Sequence, residues 1–309
     1  MQTHLAQTPA EHPTVEPTSR ATARWRDLPA VYASLGKFRL SAMVVITTVV
    51  GFIVGSVGAI DVWLLFWTAT GTLMLAMGAN GLNQWLEQAP DAQMERTRQR
   101  PIPSGRLTPA HGFLAAACML IAGMLILLAR SNPMTALLGS IAAATYLLAY
   151  TPLKLKSTAN TLIGAVSGAI PPVMGWTAGR GTLEVEAAIL FGVLFVWQIP
   201  HFLALAWLYR DDYARGGYRM LPAVDRSGRL TGALALIYSI ALVPIALLGS
   251  VVGLAGVWFA FGSALLGLAM ALFALQFWSK RSVASARALF FAGLIYLPLT
   301  LGLMVFDRA

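Results

Sequence analysis

A chain of 309 residues with 57% apolar and 11% charged side chains and a mean hydropathy of +0.68 lies outside soluble composition and within that of polytopic membrane proteins. One cysteine, Cys118, excludes an intramolecular disulfide and a thiolate-built metal site. The formal charge of +9 does not mark a nucleic-acid partner, because the basic residues are scattered among loops between apolar spans and no aromatic-studded basic domain exists.

In chain order, residues 1–36 read as a flexible cytoplasmic tail without an apolar core of signal-peptide length. Glu11 and Glu16 argue against a mitochondrial transit peptide, so the bacterial inner membrane is the expected location, ahead of the mitochondrial one. Residues 37–309 then form one domain. Nine stretches, near 40–59, 62–86, 109–130, 133–151, 159–178, 186–208, 230–250, 253–278 and 288–306, are long enough to cross a bilayer as helices. The expected fold is all-α: a polytopic membrane protein with nine transmembrane helices in a bundle around a central cavity. Cys118 falls within the third span and reads as helix packing; Trp85, Trp176, Trp197 and Trp207 lie near span ends, where interfacial anchoring is expected.

The span count can be tested on charge alone. Of the 22 lysines and arginines, all but Arg130, Arg180 and Arg308 fall before the first span or around the loops that follow even-numbered spans. The positive-inside rule then puts the N-terminus in the cytoplasm and the C-terminus outside. A wrong count would have scrambled this partition.

Two of the basic loops also carry acid. After the second span comes NQWLEQAPDAQMERTRQRPIPSGR, in which Asn83, Glu87 and Asp91 stand four apart and drift only ~40° per step around a helix. Three oxygen-bearing side chains thus share a face, followed by Arg96, Arg98, Arg100 and Arg106. Pro90 disfavours helix at Ala89 and puts Asp91 past a kink. After the sixth span, YRDDYARGGYRMLP brings Asp211 and Asp212 beside Arg210, Arg215 and Arg219. Each cluster alone also reads as a solvated helix end. Facing each other across a cavity, they suit a diphosphate bridged by magnesium, which uses one or two carboxylates and lets phosphate oxygens complete its shell. Arginines would take the remaining phosphate oxygens, and an apolar cavity would accept an isoprenoid tail. His201, inside the sixth span, reads equally as a haem ligand, a proton-handling group or a packed core histidine.

The motif NQWLEQAPDAQMERTRQRPIPSGRLTP resembles the first acidic motif of the UbiA-type intramembrane prenyltransferases. YTPLK, NTLIGAVSGAIPPVMGW, WQIPHFLALAW and DDYARGGYRMLP resemble, more narrowly, their haem-farnesylating branch. Counting YTPLK with NTLIGAVSGAIPPVMGW as one, four motifs in order over roughly residues 80–222 make the likeness specific; the tail and last three spans add little. The resemblance implies transfer of a farnesyl group from farnesyl diphosphate to a vinyl group of haem b, giving haem O and diphosphate. It implies metal ligation by Asn83, Glu87, Asp91 and Asp212, with Mg2+ as cofactor, and catalytic roles for those four with Arg96 and Arg100. Arg106, Lys154, Tyr150, His201, Asp211 and Arg215 are expected to bind substrate. The second motif is less regular than the wider family's, since only the adjacent Asp211 and Asp212 match, and Asp212 is the favoured ligand. Expected partners are the two substrates, the lipid bilayer, and haem A synthase or terminal-oxidase assembly factors as takers of the product. The alternatives are prenylation of a quinone-precursor aromatic acid and, in another class, a non-enzymatic haem or anion carrier.

Overall fold

The computed structural model describes residues 27–308. Its helices are α1 (Leu28–Leu35), α2 (Phe38–Gly55), α3 (Val62–Leu86), α4 (Gln88–Gln93), α5 (Pro109–Arg130), α6 (Pro133–Ala144), α7 (Thr151–Lys156), α8 (Asn160–Arg180), α9 (Val185–Leu208), α10 (Arg210–Arg215), α11 (Leu221–Val224), α12 (Arg229–Val251), α13 (Val257–Lys280) and α14 (Val283–Phe306). A π-helical turn, Thr145–Tyr150, joins α6 to α7, so that Pro133–Lys156 is one span. Among the described residues there is no strand, only an isolated bridge between Ala255 and Arg308.

Eight helices are long and apolar enough to cross a membrane, and the ninth long one, α8, differs in composition rather than length. It is rich in Gly, Ser and Thr and carries Pro171 and Pro172, yet every residue from Ala169 to Ala178 is buried. Packed against α2, α6 and α9, it is shielded from lipid and needs no apolar outer face. Small residues let the helices meet closely. At Gly51 a Cβ would run into the Pro172 carbonyl, and at Gly175 into the Thr48 carbonyl, so α2 and α8 touch backbone to backbone.

The tail expected over 1–36 lies outside the described residues up to 26, and its last part is helical. In α1, Val31 and Leu35 are buried against Ile102 and Leu107, so this helix closes over the arginine loop. Cys118, expected in helix packing, is exposed on α5. Trp176 and Trp207 are buried core residues rather than anchors, while Trp63, Trp258 and Trp278 are the exposed tryptophans near span ends.

The loops sort by end as the charge pattern requires. The Arg219 N–H donates to the Lys154 carbonyl at 2.7 Å, and the Glu95 N–H to Asp212 at 2.8 Å, which gathers the loops after α3, α7 and α9 at one end. At the other, Arg308 donates to the Ile53 carbonyl and Asn132 to that of Thr177, both at 2.8 Å.

Candidate active site

A cavity of about 450 Å³ opens at the end where the basic loops meet. Its deep walls are apolar, with Leu40, Val44, Leu75, Met174, Phe202 and Leu205 among them. Its mouth is charged: Lys37, Glu87, Asp91, Arg96, Arg100 and Lys154 all line it.

The row of oxygen-bearing side chains survives Pro90. Because that proline sits in the first turn of α4, where its missing N–H is no loss, the chain stays helical. The Glu87 N–H donates to the Asn83 carbonyl at 2.9 Å and that of Asp91 to the Glu87 carbonyl at 2.8 Å. Asn83 nevertheless lies behind the wall, fully buried. Its Oδ1 accepts from Lys37 Nζ at 2.7 Å and its Nδ2 donates to Thr151 Oγ1 at 3.0 Å. Glu87 Oε1 accepts from Lys154 Nζ at 2.6 Å. Asp91 pairs through Oδ2 with Arg100, while its buried Oδ1 has no partner among the described residues.

These environments split the two carboxylates. Burial raises the Asp91 carboxyl above its ordinary value despite the opposing Arg100 guanidinium. Burial also pushes Glu87 upward, but the Lys154 and Lys37 ammonium groups outweigh it and hold Glu87 below the ordinary value.

An orphaned carboxylate oxygen on a residue that lines the cavity, one helical turn from a second carboxylate, would suit a hard divalent cation. Two carboxylates suffice where phosphate oxygens complete the shell. Glu87 and Asp91 fit that requirement. Asn83 does not, because its oxygen is already taken by Lys37.

Asp212 also departs from its expected place. It is buried, but it is not part of the cavity wall. Its Oδ1 accepts from the Glu95 N–H at 2.8 Å and from Arg215 at 2.7 Å, and its Oδ2 accepts from the Arg96 N–H at 3.1 Å. Burial pushes its carboxyl up, and the amides and Arg215 more than reverse this, leaving it below the ordinary carboxylate range. Asp212 thus anchors the loop that carries Arg96, whose guanidinium lies over the Tyr209 and Tyr213 rings at 5.3 and 5.5 Å.

Of the remaining expected substrate contacts, Tyr150 and Lys154 line the mouth, with Lys154 Nζ 4.5 Å above the Tyr150 ring. Arg106 is exposed and donates to Ser104 and the Gln99 carbonyl; Asp211 is exposed; Arg215 serves Asp212. His201 is buried between α9 and α14, stacked on Phe290 at 4.7 Å and Trp197 at 5.1 Å, away from the cavity.

Three lining residues are not among the expected site residues, although Tyr218 lies within the motif DDYARGGYRMLP. Lys37 counted only as a topology charge; it adopts a left-handed backbone (φ 47°) that aims it inward at the head of α2. Tyr146 is stacked on Tyr150 at 5.5 Å, and its hydroxyl donates to Asn80 Oδ1 at 3.1 Å. Tyr218 is buried in the wall, and its hydroxyl has no partner among the described residues.

The model of the UbiA prenyltransferase family matches residues 44–295. The chain is 38% identical over 286 residues to a protoheme IX farnesyltransferase of Solibacter usitatus, covering 90% of this chain and 98% of that one. It is 41% identical over 278 residues to the mitochondrial protoheme IX farnesyltransferase of Arabidopsis thaliana, covering 90% of this chain and 64% of that one. Solved structures share the fold at low identity. A digeranylgeranylglyceryl phosphate synthase superposes with a TM-score of 0.76 at 16% identity, covering 90% of this chain and 98% of that one. A UbiA homologue from Archaeoglobus fulgidus, bound to GPP and Mg2+, does so with a TM-score of 0.60 at 12% identity, covering 89% and 99%.

Proposed function

The chain belongs to the UbiA prenyltransferase family, and on that premise we propose that it transfers a farnesyl group from farnesyl diphosphate to a vinyl group of haem b, forming haem O and diphosphate. It is a multi-pass intramembrane prenyltransferase. The observation that carries the reading is one cavity joining a mouth of two carboxylates and four cations to an apolar bore. The names of relatives about 40% identical over most of the chain support farnesyl as the group moved and haem as its acceptor.

Glu87 and Asp91 would hold the divalent metal, magnesium in this reading, against the diphosphate. When bound, the ion supplies positive charge that makes the diphosphate a better leaving group. Arg96, Arg100 and Lys154 bind the outer phosphate oxygens and stabilise the charge that develops as the allylic C–O bond breaks. The bonding pair leaves with the diphosphate. The vinyl π pair then forms the new carbon–carbon bond, and the cation left beside the pyrrole ring takes up water and loses a proton, giving a hydroxyethylfarnesyl group. The stacked Tyr146 and Tyr150 rings offer π faces to the allylic cation. The apolar bore keeps water from it until the vinyl carbon attacks.

The positive-inside bias of the basic loops supports a mouth on the cytoplasmic side of the inner membrane and a C-terminus outside; haem A synthase or terminal-oxidase assembly factors would take the product. A reporter fused after Ala309 is expected to be active only outside. The deciding incubation combines purified protein, haem b, farnesyl diphosphate and Mg2+, with mass spectrometry of the product. Haem O and released diphosphate are expected. Farnesylation of a quinone-precursor aromatic acid in place of haem moves the chain to another branch, and binding without diphosphate release makes it a carrier.

A further inference from the structure

We propose that the cleft between the cytoplasmic-loop ends of α12 and α13 is a binding site for an anionic phospholipid of the surrounding leaflet. The cleft is an open groove of about 650 Å³ that shares no lining residue with the active cavity. Arg229, Arg281 and Ser279 stand at its head; Leu230, Ala233, Leu275 and Trp278 form its lower walls.

The cleft follows from the sequence. Gly232 brings α12 so close to α13 that a Cβ there would lie 2.8 Å from Trp278 Cα, and Ala233 beside it leaves a hollow between larger neighbours. Gly228, in a left-handed conformation (φ 68°), lets the aliphatic stem of Arg281 and the Trp207 ring pack over the start of α12. Among the described residues neither Arg229 nor Arg281 forms an ion pair. The neighbouring carboxylate, Asp225, turns its oxygens to Ser227, Thr231 and the Gly228 N–H. Two guanidinium groups without an ion pair at the helix ends, an exposed tryptophan beside them and an apolar groove below them match a phosphate with the upper part of its acyl chain. A zwitterionic headgroup would bring its own cation to the arginines, and the same face of a second copy would add two more guanidinium groups rather than neutralise these. The occupant is therefore a lipid with net negative charge.

The test is native mass spectrometry of the delipidated full chain with phosphatidylglycerol, phosphatidylcholine or glycerol 3-phosphate added. Phosphatidylglycerol is expected to be retained over phosphatidylcholine, and retention to fall about tenfold or more in the Arg229→Gln/Arg281→Gln variant, since each basic residue contributes about five-fold to anionic-lipid affinity. The Arg229→Lys/Arg281→Lys variant should keep the preference, which separates lost charge from lost fold. Equal retention of the two lipids, unchanged retention in the Gln variant, or equal competition by glycerol 3-phosphate overturns the proposal. So does a dimer that Ala233→Trp disperses, which would assign the cleft to a second copy.

Discussion

Asp212 Oδ2 accepts a hydrogen bond from the backbone N–H of Arg96 at 3.1 Å, across 116 positions of sequence. The second acidic loop therefore works on the first: it fixes the backbone from which an arginine reaches the cavity mouth. In Asp212→Asn one acceptor becomes an amide donor facing these N–H groups, and the charge-assisted bonds are lost. A fall in kcat/KM for farnesyl diphosphate of about tenfold to a hundredfold is expected from losing ~1.5–3 kcal/mol of such bonding. The Mg2+ concentration giving half-maximal activity should stay put; if it rises instead, Asp212 is a metal ligand. Because its carboxyl is held below the ordinary value, the anchor should persist from neutral pH down and be released only as pH falls below the usual carboxylate range.

Asp91 has one oxygen on Arg100 and one with no partner among the described residues. Asp91→Asn preserves shape and removes the charge a hard cation requires, so product formation should fall by about a hundredfold to a thousandfold, the scale of a lost transition-state charge contact. Chelation of the wild-type protein should abolish turnover and added Mg2+ restore it. Full activity in the variant, or turnover indifferent to chelator, refutes the metal reading.

Tyr218 separates substrate binding from stability. Among the described residues its buried hydroxyl has no partner, and a buried hydroxyl left unsatisfied costs about 1–3 kcal/mol. If its purpose is to meet the diphosphate, Tyr218→Phe should raise the unfolding midpoint while raising KM for farnesyl diphosphate about tenfold. A variant less stable than wild type, or unchanged in KM, would assign Tyr218 to packing alone.

His201 leads to the opposite expectation. Stacked between Phe290 and Trp197, with Gly293 so near that a Cβ there would lie 2.8 Å from Nδ1, it is part of the α9–α14 contact. His201→Ala should cost about 2–4 kcal/mol of stability, as other large-to-small core changes do, with KM for haem unaltered. A selective loss of haem affinity in a stably folded variant would restore its reading as a haem contact.

These residues mark how far the sequence could be read. Length and apolarity located the nine long helices within a few residues, because a bilayer demands both, and the charge pattern sorted the loops by end. The four-residue spacing correctly put Glu87 and Asp91 at one mouth. Asn83 follows the same spacing yet lies behind the wall, because the periodicity fixes a face and not the neighbours that cover it. Asp212 was misread for a related reason: an acidic residue in a loop can turn toward a cavity or toward backbone amides, and only the fold decides. Lys37 lies outside every motif and Tyr218 inside one that draws attention only to its charges, since their positions depend on a left-handed turn at the head of α2 and on the docking of the loop after α10.

The α2–α8 crossing provides a test of the scaffold itself. Gly51 faces the Pro172 carbonyl and Gly175 the Thr48 carbonyl, so even an alanine at either position must force the helices apart. Gly51→Ala and Gly175→Ala should each cost about 1–3 kcal/mol, read as the midpoint of unfolding in mixed micelles. Since either substitution opens the same crossing, the second should cost less once the first is present, and a double-mutant cycle should report that coupling. Activity should fall along with stability, because α2 carries Lys37, Leu40 and Val44 into the cavity wall. Gly302 is the control: it lies within α14 with nothing near its missing Cβ, so Gly302→Ala should be neutral or stabilise by up to about 1 kcal/mol. If all three alanines behave alike, the close approach of α2 and α8 is not what holds the wall.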